Sequence, residues 1–489
     1  MSGKRRAVAP WRAVCILLGV SSTISNPDSK RAIPIARLRA LLVLTLAYAL
    51  LVIPVILSGR GGTNEAGDAR RYHEPVIETM VEQWPSPDIV NYRSTTSPGY
   101  HLLMAGLMKL TGAETVDAPV VRFTNALLTW ILVAAIFWWA SAFCGAWLAL
   151  ALTTPALLSS YTLGGGIWLT TDASAWAFIA LAVGGAVATT RATPMRMGML
   201  GLCATLAVGI RQVHVWAIAP IGLLAVLSGP LRGWIPRGIR IGDDPARASW
   251  GRFAWGMVCA LTPAALLACF VMIWGGLTPP EYRDKHNVGA NSATFAFALS
   301  LCAVFGVYFL PAALDEIKRG ALKNKWLWIC VGIGLLAAIV PATDWVRIEH
   351  ADGSRWNPRD NGWLWKPIVQ RAPDLFGRTS VVILLLAPMG AGVVWLLRQA
   401  AESAGRGAQA NVLLLTTLGW LGAQSMNSLA WQRYFEPMIL MGLIWLTAMA
   451  LPRGTDAKRV RLTVVGALVL AGFQALLVGV TLYREVFFS

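Results

Sequence analysis

Asp68 stands in the segment GDARRYH, within the first long polar interval of a largely apolar chain. That interval covers residues 59–111 and holds six of the chain's 25 acidic residues. A carboxylate held there can take a proton from an acceptor hydroxyl, which is the role of a general base. Glu65 and Glu74 are close enough in sequence to compete for that role. The alternative interpretation of a single loop aspartate is a solvated acid with no catalytic part.

Tyr72 and His73 follow Asp68 closely. On an α-helix, Tyr72 would share a face with Asp68, because residues four apart are neighbours on a helix surface. Tyr72 would then orient the carboxylate or line a sugar pocket, with His73 beside it. No HxH, HxxxH or DxD pattern accompanies His73, so the sequence does not indicate a metal site. We expect no metal and no cofactor.

Arg211 and Arg433 each stand at the outer end of an apolar run. An arginine there can extend to the membrane interface with no other role, or it can hold a phosphate through its planar guanidinium. Together with Lys285 and Lys366, the two arginines would suit a phosphate or diphosphate carried by a lipid. The chain contains neither a glycine-rich nucleotide loop nor a Walker motif, so a soluble nucleotide donor is not supported.

The composition describes the scaffold that must position these groups. Of 489 residues, 56% are hydrophobic and 14% are charged, against about 25% charged in soluble proteins. About a dozen apolar runs are each long enough to cross a bilayer, which predicts an all-α polytopic membrane protein. The net charge of +17 collects in short loops, where it orients helices. Nucleic acid is therefore not expected as a partner.

Positive residues before the first apolar run place residues 1–39 in the cytoplasm as a mobile arm. Residues 40–489 would form one membrane domain, with a first outer loop at 59–120 and a late outer loop at 344–378. The apolar run 98–110 is too short to cross and is expected to lie at the outer interface. Thirteen spans are predicted, with an outer loop at 162–171 between the third and the fourth: 40–57, 121–140, 145–161, 172–189, 197–210, 213–227, 253–274, 292–314, 326–341, 379–397, 412–426, 435–451 and 462–482.

This topology places the unusual polar residues on one face of the membrane, the outer one. Charges near membrane depth are costly and usually functional, and their agreement on one face favours an outward-facing site. The candidate residues are Asp68, Tyr72, His73, Asp172, Arg211, Gln212, Lys285, Asn361, Trp365, Lys366 and Arg433.

Three motifs in and directly after the first outer loop resemble the first outer loop of membrane glycosyltransferases of the GT-C fold. They are Asp68 to His73, Thr95-Thr96-Ser97-Pro98-Gly99-Tyr100 and Arg122-Phe123-Thr124-Asn125. Within that class, the sequence is most similar to the α-1,2-glucosyltransferase family of the endoplasmic reticulum. Those enzymes add the last glucose to the lipid-linked oligosaccharide and use dolichyl-phosphate-glucose as donor.

The resemblance continues in the same order over roughly residues 40–450. Its later motifs are Tyr161 to Ser174, Arg211-Gln212 with Trp216, Asp284-Lys285 with Asn287, Asp360-Asn361 with Trp365-Lys366, and Arg433-Tyr434-Phe435 with Pro437. The sequence departs from the family at several points. Asp68 stands one residue out of register with the family's paired Asp-Glu and is followed by Ala69, Asp172 replaces a glutamate, and His214 replaces an asparagine.

The resemblance implies an inverting, metal-independent transferase that moves a hexose, expected to be glucose, from a polyprenyl-phosphate donor to an acceptor hydroxyl. Asp68 would be the base, and the remaining candidates would bind substrate. Of these, Arg433, Arg211 and Lys366 would stabilise the departing phosphate, and Tyr72, His73 and Trp365 would shape the sugar pocket. The partners would be the lipid-linked donor, a glycan or lipid-linked acceptor, and membrane lipid.

The location expected is a bacterial plasma membrane with the site facing outside, and the alternative is the endoplasmic reticulum membrane. The alternative function is a transporter or flippase of a lipid-linked sugar. A transporter would show inverted repeats and broken helices near the midplane, and the sequence shows no sign of either. A non-catalytic scaffold would leave the ordered motifs unexplained.

Overall fold

The structure is a computed structural model. It describes residues 29–60, 64–189, 192–241, 248–282, 291–340, 348–349, 355–356, 362–364, 368–369, 371–375, 379–427 and 430–487. Within these ranges, the side chains of residues 29–34, 64, 348–349, 355–356, 485 and 487 are not described.

Helices make up about four fifths of the described chain, so the predicted all-α class is confirmed. In chain order the α-helices are α1 Ser29–Ser58, α2 Asn64–Asp68, α3 Glu74–Glu82, α4 Gly99–Thr111, α5 Pro119–Phe143, α6 Ala146–Leu157, α7 Ser160–Ile167, α8 Thr171–Val187, α9 Pro194–Ile210, α10 Ile218–Leu227, α11 Trp250–Trp274, α12 Thr294–Gly306, α13 Leu314–Lys318, α14 Lys325–Ile339, α15 Val381–Ser403, α16 Gly407–Ser425, α17 Gln432–Ala450, α18 Ala457–Val478 and α19 Arg484–Phe487.

The other elements are short. Two π-helical turns cover Ala69–His73 and Gly479–Tyr483, and 3₁₀ turns cover Gln212–Ala217, Pro230–Trp234, Arg237–Ile239, Pro280–Tyr282, Val307–Ala313 and Ala321–Lys323. Two antiparallel strand pairs lie among the described residues of 344–380. β1 Ile348–Glu349 pairs with β2 Arg355–Trp356, and β3 Asp374–Leu375 pairs with β4 Thr379–Ser380, the first two residues of the predicted span 379–397.

Six helical stretches are long and apolar enough to cross a membrane, counted over the residues that the structure describes. They are Ile35–Ser58, Pro119–Phe143, Trp250–Trp274, Thr294–Lys318, Val381–Ser403 and Ala457–Tyr483. Four shorter apolar helices cover Thr171–Val187, Pro194–Ile210, Gln212–Leu227 and Lys325–Ile339. Each predicted span coincides with helix, but the number of thirteen crossings stays a prediction.

The first helix differs from the prediction at its N-terminal end. It begins at Ser29, within the predicted N-terminal arm. Residues 29–39 hold three arginines, two alanines and one leucine, which all favour helix. The prediction stopped at residue 40 because hydropathy falls there, whereas helical backbone continues wherever charged side chains can reach water. Residues 1–28 lie outside the described residues.

The third predicted span is a broken helix. α6 and α7 meet at Leu158-Ser159 with a bend of 73°. Ser159 has extended backbone angles and its Oγ accepts a hydrogen bond from Thr162 N at 3.4 Å, so it caps the second piece. The outer loop predicted at 162–171 is therefore wrong over most of its length, since α7 occupies Ser160–Ile167. Hydropathy alone could not show the break, because the two pieces together are apolar enough to read as one span.

The predicted short helix at 98–110 is present as α4, which buries Tyr100, His101, Met104, Ala105 and Met108. Gly99 begins it at a point of close backbone contact. A Cβ at Gly99 would lie 2.6 Å from the carbonyl oxygen of Gly209, so only glycine lets α4 approach the end of α9.

α17 is the most completely buried of the long helices. Seventeen of its 19 residues are buried, from Gln432 to Ala450. Trp445 donates a hydrogen bond from its indole nitrogen to the carbonyl of Ile136 on α5 at 3.1 Å. This packing fixes the first turn of α17, where Arg433 stands.

Candidate active site

Two arginines and two aspartates form one compact cluster. Arg433 donates from Nη1 to Asp68 Oδ2 at 2.5 Å, and Arg211 forms an ion pair with Asp172. Arg433 Nε lies 3.7 Å from Asp172 Oδ2, which joins the two pairs. The four side chains are between 14% and 29% exposed, so the charges are held in a partly dry environment that strengthens their attraction.

Four elements far apart in sequence supply these charges. Asp68 ends α2, Asp172 lies in the first turn of α8, Arg211 directly follows α9, and Arg433 lies in the first turn of α17. A carboxylate in a first helical turn, such as that of Asp172, interacts favourably with the helix dipole. The structure therefore brings together four of the residues that the sequence singled out.

Aromatic rings hold both guanidinium groups. The Cζ of Arg433 lies 4.3 Å from the ring centroid of Trp431, and that of Arg211 lies 4.7 Å from the ring centroid of Tyr434. Cation–π contacts of this kind stabilise a cation by about 0.5–2 kcal/mol. These contacts also fix the plane of each guanidinium group. Arg433 Nε has no hydrogen-bond partner among the described residues.

A partly open cavity of about 370 Å³, its mouth included, lies against this cluster. The part of it that the centre of a water-sized molecule can reach is about 20 Å³. Charged groups (Glu65, Asp172, Arg433) and a largely apolar floor with two aromatic rings line it, and its residues are Glu65, Leu132, Tyr161, Thr162, Gly165, Thr170, Asp172, Ala173, Trp176, Arg433 and Pro437.

The cavity bears on which of the three acids could act as the general base. Glu65 and Asp172 line it, whereas Asp68 reaches the cluster through Arg433 without lining the cavity. A Cβ at Gly164 would come within 3.3 Å of Glu65 Cγ, so glycine at that position gives the Glu65 side chain its room. The contribution of Trp176 was not predicted. Its spacing of four residues from Asp172 was the available signal, since such residues share a helix face.

A π-helical turn separates Asp68 from His73. The backbone N–H of Glu74 bonds to the carbonyl of Ala69, five residues earlier. Five residues make more than one α-helical turn but close to one π turn, so Asp68 and His73 come to the same side. The predicted pairing of Asp68 with Tyr72 assumed α-helical spacing. The structure shows no hydrogen bond between them in its described part, and Tyr72 is 52% exposed.

His73 bonds through its Nδ1 to Nε2 of His101 at 2.9 Å. Burial, together with the positive charges of Arg433 and Arg211, lowers the pKa of His73 to about 3. Burial lowers the pKa of His101 well below its usual value, and His73 adds to that effect. Both imidazoles are therefore neutral at physiological pH.

This pair predicts a loss of stability in acid. A histidine whose pKa is lowered by folding stabilises the fold fully above its ordinary pKa of about 6.5. That stability is lost as the pH falls from there towards about 3, because the unfolded chain binds more protons. We expect the unfolding temperature in detergent to drop by at least about 3 °C between pH 7.5 and pH 5. The His73→Gln variant should drop less; an equal drop would show that other groups cause the effect.

Gln212 ties the first outer loop to neighbouring segments. Its Oε1 accepts from Ser97 Oγ at 3.1 Å, and its Nε2 donates to the carbonyl of Thr95 at 2.8 Å and to that of Leu277 at 3.1 Å. The amide is thus used in holding the loop 94–97 beside Arg211. Tyr100 and Asn125 join α4 to α5, because Tyr100 Oη donates to Asn125 Oδ1 at 2.9 Å.

Glu436, one turn after Arg433, carries a buried network that was not predicted. Its Oε1 accepts from Ser159 Oγ at 2.7 Å and from Gln474 Nε2 at 3.0 Å. Its Oε2 accepts from Gln432 Nε2 at 2.8 Å, and Gln432 Oε1 accepts from the backbone N of Leu364 at 3.2 Å. A glutamate inside an apolar run was the available signal. The network joins the break between α6 and α7 to the late outer loop.

Replacing Glu436 by alanine should therefore destabilise the protein strongly. Three buried donors would lose their acceptor, and such losses cost about 3–5 kcal/mol. Thermal unfolding in detergent measures this, with Glu78→Ala as an exposed control that should be nearly neutral. Glu436→Gln retains one acceptor oxygen and should lie between. Equal unfolding temperatures for Glu436→Ala and wild type would contradict a structural role for the network.

Four candidates, Lys285, Asn361, Trp365 and Lys366, lie outside the described residues. Within the described chain, no group of three or more His, Cys, Asp or Glu side chains is placed to hold a metal ion. Metal independence stays a prediction.

Comparison with known proteins gives only a distant structural likeness. No protein-family profile matches the chain, and no curated protein matches it. The chain is similar to two crystal structures of ArnT from Cupriavidus metallidurans, one in the apo state and one bound to undecaprenyl phosphate. The identities are 15% and 16%, and the TM-scores are 0.34 and 0.35. Each match covers 84% of this chain and 77% of the other.

Proposed function

We propose that this protein is a membrane glycosyltransferase that transfers a hexose, with glucose as the first candidate, from a polyprenyl-phosphate donor to an acceptor hydroxyl on the outer face. The observation that carries the proposal is the cluster of Arg433, Arg211, Asp68 and Asp172 beside a cavity with aromatic walls. Arginines suit the phosphate, aromatic rings suit a sugar, and a carboxylate suits proton removal.

The arginines would bind the phosphodiester of the donor. In the structure both are neutralised by carboxylates, so the donor phosphate must compete with Asp68 and Asp172 for them. Arg433 Nε lacks a hydrogen-bond partner among the described residues and is the first position that a phosphate oxygen would take. When the phosphate displaces Asp68 from Arg433, the carboxylate is free to accept the proton of the acceptor hydroxyl.

The transfer itself follows from this exchange. The acceptor oxygen attacks the anomeric carbon from the side opposite the phosphate, the bond from that carbon to the phosphate oxygen breaks, and Asp68 takes the acceptor proton. Attack from the opposite side inverts the configuration. Polyprenyl phosphate leaves with one more negative charge than it had as a diester, and the two guanidinium groups stabilise that charge as it develops. Glu65 and Asp172 are the alternative bases.

The proposal keeps the remaining assignments of the site. Tyr72, His73 and Gln212 belong to the loop that would cover the sugar, with Gln212 acting by holding residues 94–97. Lys285, Asn361, Trp365 and Lys366 are proposed to complete the substrate contacts from the outer loops. The protein would act in a bacterial plasma membrane or, alternatively, in that of the endoplasmic reticulum.

One observation favours a second candidate, a transporter or flippase of a lipid-linked sugar. The bent pair α6 and α7 is a broken helix, and Tyr161, Thr162 and Gly165 on its second piece line the cavity. Broken helices beside a binding site are typical of secondary transporters.

Purified protein in lipid nanodiscs, supplied with short-chain polyprenyl-phosphate hexoses and a lipid extract as acceptor source, separates the two functions. A glycosyltransferase should release polyprenyl phosphate and label an acceptor in an extract-dependent manner. Binding of the hexose donors without release of polyprenyl phosphate, together with their movement between leaflets in proteoliposomes, would support the transporter instead.

A further inference from the structure

Three rings, two of them buried, form a hydrogen-bonded chain that ends at the candidate site. Tyr92 Oη lies 2.5 Å from His101 Nδ1, and His101 Nε2 lies 2.9 Å from His73 Nδ1. His101 is fully buried and Tyr92 is 2% exposed, whereas His73 is partly exposed. We call this the Tyr92–His101–His73 relay. Its inner end is dry, and its outer end stands one π turn from Asp68.

Counting protons gives the relay a direction. Tyr92 has one hydroxyl proton and, besides His101, the hydroxyls of Ser94 and Thr96 and the carbonyl oxygen of Ser97, at 3.3 Å, as neighbours. The two hydroxyls can donate to Tyr92 Oη. A carbonyl can only accept, so the Tyr92 proton satisfies it. Tyr92 Oη is then the acceptor for His101, which must carry its proton on Nδ1.

The same count of protons applies to the bond between His101 and His73. With its proton on Nδ1, a neutral His101 presents a lone pair at Nε2. His73 must therefore donate from Nδ1, which leaves the Nε2 of His73 without a proton. Neutrality of both rings is required for this order, and burial together with the nearby Arg433 and Arg211 lowers the pKa of His73 to about 3. This order satisfies both bonds within the relay and also supplies the donor that the Ser97 carbonyl needs.

Resting on the proposed function, we propose that His73 Nε2 is the hydrogen-bond acceptor for one hydroxyl of the donor sugar, and that His101 and Tyr92 are positioning residues that fix its tautomer. A lone pair repels the oxygens of the phosphate, so His73 meets the sugar and the arginines meet the phosphate. A site built to bond a hydroxyl rejects analogues that lack it. The relay is thus a specificity device for the sugar.

Measuring how tightly the donor binds tests whether His73 Nε2 accepts a hydrogen bond from the sugar. The substrate that receives the sugar need not be known. The probes are short-chain polyprenyl-phosphate glucose and its analogues in which one hydroxyl is replaced by hydrogen or by fluorine. Fluorine cannot donate a hydrogen bond. We expect wild type to bind one deoxy and the matching deoxyfluoro analogue about 10- to 100-fold more weakly than the parent, and His73→Leu to discriminate less than about 3-fold.

Tyr92→Phe tests the relay. Without the phenol oxygen, His101 Nδ1–H would be buried unpaired, so the proton moves to Nε2 and His73 changes to the opposite tautomer. Its Nε2–H can then donate to fluorine, so this variant should reject the deoxyfluoro analogue less than wild type does. Tyr483→Phe is the matched control, because the Tyr483 hydroxyl donates to the carbonyl of Leu51, outside the relay; it should discriminate like wild type. His101→Gln is a second relay variant, should Tyr92→Phe not fold.

The outcomes distinguish the two proposals. If wild type binds no polyprenyl-phosphate hexose of the panel used above, the proposed function is overturned together with the inference. If wild type binds glucose donor but His73→Leu discriminates as wild type does, His73 is not the acceptor, while the proposed function stands. Equal rejection of the fluoro analogue by wild type and by both relay variants would overturn the positioning roles of Tyr92 and His101.

Discussion

Arg433→Ala should lower the rate of sugar transfer by about 10³-fold, the upper range for loss of one group that stabilises developing charge. Arg433 contacts Asp68 and Asp172 and stacks on Trp431, so its loss also leaves two carboxylates facing the donor phosphate. Donor affinity should fall together with the rate. Release of polyprenyl phosphate and equilibrium binding of the donor measure the two effects separately.

Two further variants control this experiment. Arg433→Lys keeps the positive charge but loses the planar guanidinium that can bind a phosphate through two hydrogen bonds. It should recover only part of the rate. Arg93→Ala removes an exposed arginine that pairs with Glu281 at 3.6 Å on the same side of the fold, and should change the rate little. If Arg433→Ala transferred sugar as fast as Arg93→Ala, Arg433 would have no part in binding the phosphate.

Asp68→Asn should lower kcat by about 10²- to 10⁴-fold, the usual contribution of a general base. Donor binding should remain or become tighter, because asparagine competes less with the phosphate for Arg433. The fall in rate with unchanged or improved affinity is the signature of a base that is also a competitor for the arginine. Single-turnover transfer and donor titration provide the two numbers.

The alternative bases give matched comparisons. Asp172→Asn should free Arg211 in the same way, and Glu65→Gln removes the other carboxylate of the cavity. Neither should reduce kcat as far as Asp68→Asn does. A larger loss of kcat in Glu65→Gln or Asp172→Asn would move the role of base to that residue and leave Asp68 as a partner that orients Arg433.

The span positions could be predicted because membrane crossing is a local property. Each span depends on a run of apolar side chains long enough to cover the bilayer core, and that information lies within the run itself. The helix Pro119–Phe143 and the helix Trp250–Trp274 extend only a few residues beyond their predicted limits. The separate short helix α4 was predictable for the same reason, since its length excludes a crossing.

The sequence could predict which charged residues belong to the site, but not which of them pair with one another. Polarity marked Asp68, Asp172, Arg211 and Arg433 as costly near a membrane, but which acid pairs with which arginine depends on how four helix ends meet. The contributions of Glu436 and of the cavity wall at Trp176 depend on the same packing. The bend between α6 and α7 depends on the Ser159 cap and its neighbours, which no hydropathy pattern contains.

The π turn at Ala69–His73 bears on how this chain should be aligned with others. A turn closed by bonds five residues apart accommodates one residue more than an α-helical turn. An insertion of one residue there would leave the flanking helices in phase, so the numbering of an alignment would shift while the spatial position of the acid would not. The offset of Asp68 by one residue from the acid pair of the resembled glucosyltransferases is of this size. When this loop is compared with that of another protein, acids that lie on the same face of the helix should therefore be matched, even where their positions in the sequence alignment differ by one.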